Sequence, residues 1–107
     1  MAFKSTNDPV LSRFRAALDE IYGDKIERVV LFGSRARGDE HPESDYDVAV
    51  FLKDLPDRWY ELHRLADLRV KFIDDIGAFF EVLPFPAAAY AERSPLMREI
   101  RTDGRDI

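Results

Sequence analysis

Short apolar runs along the chain predict three β-strands. Residues 26–32, Ile-Glu-Arg-Val-Val-Leu-Phe, are β-branched and apolar, which is typical of a buried strand. Residues 46–52 form a second such run, and residues 78–83 a third, which Pro84 and Pro86 are expected to break.

Apolar residues at helical spacing predict helices between these strands. Asp8-Pro9 is expected to cap and begin a helix that ends at Gly23. A longer helix is predicted from near residues 54–56 to Gly77. Two further short helices are predicted near the end of the chain, at residues 87–92 and after Ser94-Pro95. The apolar positions of the long helix, all expected to face the core, are Trp59, Leu62, Leu65, Ala66, Phe72, Ile73 and Ile76.

The end of the first strand carries a turn that suits phosphate. Gly33 lets the backbone turn tightly and approach a ligand without a Cβ in the way. Ser34 is expected to cap a short helix through Arg35 and Arg37, and a helix start offers free N–H groups to an anion. The two guanidinium groups can bind phosphate with paired hydrogen bonds.

Two carboxylates open the second strand on one of its faces. Because side chains alternate along a strand, Asp45 and Asp47 share a face with Ala49 and Phe51, roughly 6.6 Å apart at Cα. Like charges this close repel unless a cation lies between them, and Mg²⁺ prefers carboxylate and phosphate oxygens. The pattern therefore predicts a site for a nucleoside triphosphate and two Mg²⁺ ions, which lie roughly 3.5–4 Å apart in two-metal sites.

The combined motif resembles that of the DNA polymerase beta-like nucleotidyltransferases. Gly-Ser-Arg-Ala-Arg-Gly, at residues 33–38, followed by Ser-Asp-x-Asp at residues 44–47, is closest to the minimal nucleotidyltransferases (MNT), many of which are antitoxins paired with a HEPN-domain toxin. The resemblance covers nearly the whole chain. It implies an α/β (α+β) fold with a small mixed sheet packed against helices.

The resemblance also implies a third carboxylate on a later strand, and Glu81 is the candidate. Burying an acid within the apolar stretch Gly-Ala-Phe-Phe-Glu-Val-Leu-Pro is costly unless it has a partner, and a metal shared with Asp45 and Asp47 would be one. The family more often has Asp at this place. The alternative is that Glu81 faces solvent on an exposed face of the sheet.

Composition narrows the class of protein. A length of 107 residues predicts a single domain, residues 1–107, without room for a separate acceptor-binding domain. A net charge of −5 disfavours a broad basic surface, so a nucleic-acid partner is unlikely. The absence of cysteine excludes disulfides and thiolate metal sites, and no apolar run predicts a signal peptide or membrane span. A cytoplasmic protein is expected.

Two functions follow from these expectations. In the first, Gly33, Ser34, Arg35 and Arg37 hold the phosphates of ATP. Asp45, Asp47 and Glu81 then bind two Mg²⁺ ions, and AMP passes to a hydroxyl of a partner, a HEPN-type toxin. In the second, the chain is an antitoxin that neutralises its toxin by contact alone. An aminoglycoside-type small-molecule acceptor is a third possibility, which the short chain disfavours.

The remaining candidate residues have simpler interpretations. His41 is expected to be a loop histidine beside the site, and Arg69 and the other helix arginines to be solvated. Tyr46 or Phe79 could flank a nucleobase. The arginine-rich tail, Arg98–Arg105 with Arg93 just before it, is expected to be a solvated terminus, with a partner surface as the alternative.

Overall fold

The computed structural model of the protein describes residues 8–39 and 44–107, so His41 and its immediate neighbours lie outside the described residues. The elements, in chain order, are α1 (Pro9–Tyr22), a 3₁₀ turn (Gly23–Lys25), β1 (Ile26–Phe32), α2 (Ser34–Arg37), β2 (Tyr46–Leu52), α3 (Arg58–Ile76), β3 (Phe80–Pro86), a 3₁₀ turn (Ala87–Ala91), α4 (Pro95–Asp103) and β4 (Arg105–Asp106).

The strands form one mixed sheet in the order β3-β2-β1-β4. β1 is antiparallel to both β2 and β4, whereas β2 and β3 are parallel and are connected through α3. Parallel neighbours need such a crossover because the end of one strand and the start of the next lie at opposite ends of the sheet. The predicted α/β (α+β) class, a small mixed sheet packed against helices, is confirmed.

Helices cover the two faces of the sheet unequally. α1 and α3 pack on one face, and α4 with the second 3₁₀ turn packs on the other. Val48 and Val50 of β2 face α1 and α3, whereas Ala49 and Phe51 face α4. This is the predicted alternation of β2, so Asp47 lies on the α4 side of the sheet.

β3 is longer than expected and includes both prolines. Pro84 pairs in register with Val50 and Pro86 with Leu52, so Pro84 lies inside the strand and Pro86 is its last residue. Among the strands of the described residues, β3 is an edge strand with a neighbour on one side only. An edge strand tolerates a missing N–H where it would point away from the sheet.

α3 begins later than expected, and it carries two apolar stripes. Asp57 caps it by accepting a hydrogen bond from the Tyr60 N–H at 3.1 Å. Leu65, Leu68 and Phe72 are buried against the sheet. Trp59 is 74% exposed, so the prediction that it faces the core is wrong. Helical spacing groups Trp59 with Ala66, Val70 and Ile73 on a second, outward stripe, which the sequence pattern had merged with the first.

The end of the chain is more ordered than a solvated terminus. α4 buries Met97 and Ile100 on the sheet, and β4 pairs with β1 opposite Val30 and Leu31. The Arg105 guanidinium donates to the Ala36 carbonyl at 2.9 Å, which ties β4 to α2. Within the described ranges, no helix is both long and apolar enough to cross a membrane.

Candidate functional site

Gly33 makes the turn between β1 and α2. Its φ of 76° and ψ of −157° lie in a region that residues with a Cβ rarely adopt. Its carbonyl accepts the N–H groups of Ala36 and Arg37 at 3.1 and 3.2 Å. Gly33, rather than Ser34, is therefore the cap residue, and the predicted capping role of Ser34 is wrong. Ser34 is the first residue of α2.

The same glycine lies against the Asp47 carboxylate. A Cβ built on Gly33 would be 2.3 Å from Asp47 Oδ2, well inside van der Waals contact. The register explains this contact, because Phe32, the residue before Gly33, pairs with Asp47 across β1 and β2. The turn and the predicted acids, separated by ten residues in sequence, therefore meet at one end of the sheet.

Glu81 lies beside Asp47 on the next strand. The two residues are register partners in the parallel β2–β3 pair, so their side chains leave the sheet on the same face. Asp45 directly precedes β2. The structure thus places Asp45, Asp47 and Glu81 at one end of the α4-covered face of the sheet.

The Asp47 carboxylate is partly buried and lies among other charged groups. The pKa of Asp47 is raised, first by burial and then by the negative charges of Asp45, Glu81 and Glu99, while Arg37 lowers it. Glu99, on α4, is a charged group of the site that sequence reasoning missed. No sequence signal could have found it, because only the packing of α4 on the sheet brings Glu99 near β2.

The Glu81 side chain has a partner outside this cluster. Glu81 Oε1 lies 3.5 Å from Arg69 Nη2, and Arg69 Nε donates to the Phe80 carbonyl at 2.6 Å. Arg69, expected to be a solvated helix charge, instead reaches from α3 to β3. Among residues 8–39 and 44–107, no three acidic or histidine side chains lie close enough together to hold one metal ion.

The two arginines of the turn have different surroundings. Arg37 is exposed, lies 3.3 Å from Asp39 and 3.5 Å from Glu99, and lowers the pKa of Asp47. Arg35 instead donates to the Ser44 carbonyl at 3.0 Å and covers the Tyr46 ring at 4.0 Å. Arg37 is therefore the arginine that shares the face of the acids.

The fold and this site define a nucleotidyltransferase-type domain. The family model described as "Nucleotidyltransferase domain" matches residues 11–93, and the chain belongs to that family. The resemblance stated from the motif is confirmed at this level.

Two curated relatives come from Methanocaldococcus jannaschii. The chain is 45% identical over 47 residues to "Putative protein adenylyltransferase MJ0141", a match that covers 44% of this chain and 48% of the relative. It is 37% identical over 69 residues to the similarly named MJ1305, covering 64% of this chain and 47% of that protein. The chain thus spans about half the length of the curated relatives it matches.

Solved structures share the fold. The chain is similar to a toxin-antitoxin crystallised with AMP-PNP, with a TM-score of 0.60 and 22% identity over 94% of this chain and 72% of the other. It is also similar to a mutant of the toxin-antitoxin MntA-HpeT, with a TM-score of 0.59 and 21% identity over 88% and 69% of the two chains. At this identity, the likeness supports the fold.

Proposed function

We propose that this chain is a metal-dependent nucleotidyltransferase that transfers AMP from ATP to a hydroxyl of a partner protein. We further propose that the partner is a HEPN-type toxin, for which the chain acts as antitoxin. Relatives named as protein adenylyltransferases and a structural neighbour crystallised with AMP-PNP support this reading.

One observation carries the proposal more than any other. The Gly33 turn is packed directly against Asp47, which is itself in register with Glu81. A ligand that bound both the turn and the carboxylates would need phosphate oxygens for the first and cations for the second. A nucleoside triphosphate with its divalent cations is such a ligand.

The reaction is a substitution at the α-phosphorus of ATP. The acceptor hydroxyl oxygen forms a bond to the α-phosphorus, and the bond from that phosphorus to the oxygen bridging to the β-phosphate breaks. Pyrophosphate leaves with the bonding electron pair, and the hydroxyl proton passes to a base. The catalytic contribution of the chain is positioning and charge neutralisation.

Asp45 and Asp47 fit the role of Mg²⁺ ligands. Burial first, and then the neighbouring carboxylates, raise the pKa of Asp47, and a divalent cation would offset both costs of its negative charge. When bound, the two ions activate the acceptor oxygen and stabilise the leaving phosphates. Gly33 and Ser34 would hold the terminal phosphates, because their turn adjoins Asp47.

Arg37 is the better of the two arginines for the phosphates. It already lies on the face of the acids and interacts with the exposed Asp39 and the partly buried Glu99, two partners that phosphate oxygens could replace. Arg35 would act mainly by fixing the segment after the turn, through the Ser44 carbonyl.

Glu81 would be the third carboxylate, as a metal ligand or as the base for the acceptor hydroxyl. To bind a metal it would exchange its contact with Arg69, which is half-exposed and 3.5 Å long and is therefore weak.

The contact between Glu81 and Arg69 also favours a second candidate function, that of a non-catalytic antitoxin. If Glu81 stays with Arg69, the site keeps only two of its three carboxylates, and neutralisation would depend on contact area.

Intact-mass spectrometry of the partner separates the two functions. The protein encoded beside this chain would be incubated with ATP, Mg²⁺ and the chain. An active transferase adds one or more AMP units to the partner, and Asp47→Asn and Glu81→Ala remove that addition. Glu81→Asp, which supplies the acid more usual in the family, should preserve it.

A growth-rescue assay with the same variants completes the test. Under the enzyme proposal, Asp47→Asn fails to rescue cells from the toxin. Rescue by Asp47→Asn, together with no mass change from the wild-type chain, would establish the binding function instead.

A further inference from the structure

A cavity opens beside Asp45, between the start of β2 and the segment leading into β3. Its volume is about 410 Å³, and its lining includes Arg35, Asp45, Tyr46 and Phe79. This volume falls within the range of small-molecule sites, which combine an aromatic wall with a few polar groups.

Phe79 forms an exposed aromatic wall of this cavity. Its carbonyl accepts the Tyr46 N–H at 2.9 Å, which fixes its backbone beside the start of β2. Its side chain is 54% exposed. Phe79 directly precedes β3, two residues before Glu81.

Arg35 and Tyr46 form a second wall that contacts within the protein hold in place. Arg35 bonds the Ser44 carbonyl at 3.0 Å and lies 4.0 Å from the Tyr46 ring centroid. The Tyr46 hydroxyl donates to Asp8 at 2.6 Å, and its ring stacks on Phe80 at 4.7 Å. A wall tied at this many points is preorganised, which lowers the entropic cost of binding a ligand.

The strand order sets the distance from this cavity to the phosphate turn. Gly33 follows β1 and Phe79 precedes β3, and β2 lies between them. Gly33 and Phe79 are therefore separated by two strand spacings, roughly 10 Å. A nucleotide whose terminal phosphates lie at Gly33 and whose metals lie at Asp45 can extend across this distance with its ribose and base.

We propose that the cavity binds the nucleobase of the nucleotide, stacked on Phe79 and bounded by the fixed guanidinium of Arg35. This rests on the proposed nucleotide site at Asp45 and Asp47. Aromatic rings and arginine planes stack on any base, and stacking strengthens with ring area. The cavity should therefore prefer purine to pyrimidine triphosphates.

The test compares two ligands that both contain three linked phosphates, of which only one carries a nucleobase. Calorimetry with Mg²⁺ measures the binding of ATP and of inorganic tripolyphosphate to the wild type, Phe79→Ala and Phe79→Tyr. The control is Trp59→Ala, which removes an aromatic even more exposed than Phe79 from the far end of α3. Circular dichroism melts check that each variant is folded.

The proposal expects Phe79→Ala to weaken MgATP binding about 5- to 100-fold, the usual range for one stacked base. Tripolyphosphate binding should change less than about twofold, because the phosphate contacts remain. Phe79→Tyr and Trp59→Ala should bind both ligands as the wild type does, and CTP should bind the wild type more weakly than ATP.

Three results would overturn the proposal that the cavity binds the nucleobase. If Phe79→Ala bound MgATP as tightly as the wild type, Phe79 would have no stacking role, and the proposed phosphate site would be unaffected. An equal loss of ATP and tripolyphosphate binding in that folded variant would show that Phe79 shapes the metal site instead. Failure of the wild type to bind either ligand would refute the proposed nucleotide site itself, and the base cavity with it.

Discussion

The Cα of Gly33 packs against the carboxylate of Asp47, leaving no space for even a methyl group, since an added Cβ would be 2.3 Å from Oδ2. The residue that follows β1 thereby limits the position of an acid on β2. The phosphate turn and the first carboxylates are consequently a single packed unit.

Gly33→Ala should damage both stability and nucleotide binding. The positive φ alone costs about 1–3 kcal/mol for a residue with a Cβ, and the collision with Asp47 adds about 1–3 kcal/mol. Gly23→Ala is the matched control, because Gly23 has φ 53°, ψ −124° and no atom of the described residues within 4 Å of an added Cβ. Urea unfolding and MgATP calorimetry should show a loss of binding in Gly33→Ala alone. Equal effects of the two substitutions would contradict the packed unit.

Asp47→Asn should stabilise the metal-free protein, increasingly so as pH rises. Because burial and three carboxylates raise the pKa of Asp47, the folded state holds its proton more tightly than the unfolded chain does. Wild-type stability is therefore lost as pH rises from the ordinary value of 3.8 through the raised folded pKa. The difference in unfolding free energy between variant and wild type should grow over that window, measured by urea unfolding in EDTA. A difference independent of pH would show that the pKa of Asp47 is not raised in the folded protein.

Divalent cations should control the affinity for ATP. Asp45 and Asp47 repel the triphosphate until cations neutralise them, so EDTA should weaken ATP binding by at least about tenfold, or ~1.4 kcal/mol. Calorimetric titrations with Mg²⁺ and with EDTA measure this. Asp45→Asn should narrow the gap between the two conditions, since one repelling charge is gone. The two-metal proposal fails if the wild type binds ATP equally well in both.

Glu99→Gln should tighten MgATP binding about 2- to 10-fold. The change releases Arg37 from a competing carboxylate and removes one negative charge near Asp47. The gain should shrink at high salt, which screens half-exposed charges. Glu20→Gln, an exposed acid of α1 on the opposite side of the sheet, should leave the affinity unchanged. Weaker binding in Glu99→Gln would instead mean that Glu99 holds Arg37 in its working position.

Glu81→Ala and Arg69→Ala should differ in stability. The Glu81–Arg69 contact is half-exposed, so loss of Glu81 should change the unfolding free energy by less than about 1 kcal/mol. Arg69→Ala should cost about 1–3 kcal/mol, because its guanidinium also bonds the Phe80 carbonyl. Thermal and urea unfolding of both variants give the comparison. If Glu81→Ala were the more destabilising, Glu81 would be structural, and its proposed role in the reaction would need another basis.

Local sequence rules were sufficient wherever one element determines its own geometry. Asp8, Pro9 and Gly23 bound α1 as predicted, and β1 and β2 match the predicted ranges residue for residue. The same rules failed where a neighbouring element decides the outcome. Pro84 and Pro86 remain in β3 because it is an edge strand, and edge position depends on strand order rather than on the segment itself.

The sequence by itself determined the turn at Gly33, the shared face of Asp45 and Asp47, and the family, because turn chemistry and strand alternation depend on adjacent residues. Only the tertiary structure decided that Glu99 approaches Asp47, that Arg69 contacts Glu81, and that Arg37 rather than Arg35 shares the face of the acids. Each of these depends on how helices pack against the sheet. Such contacts join residues far apart in the chain, and no local pattern of side chains specifies them.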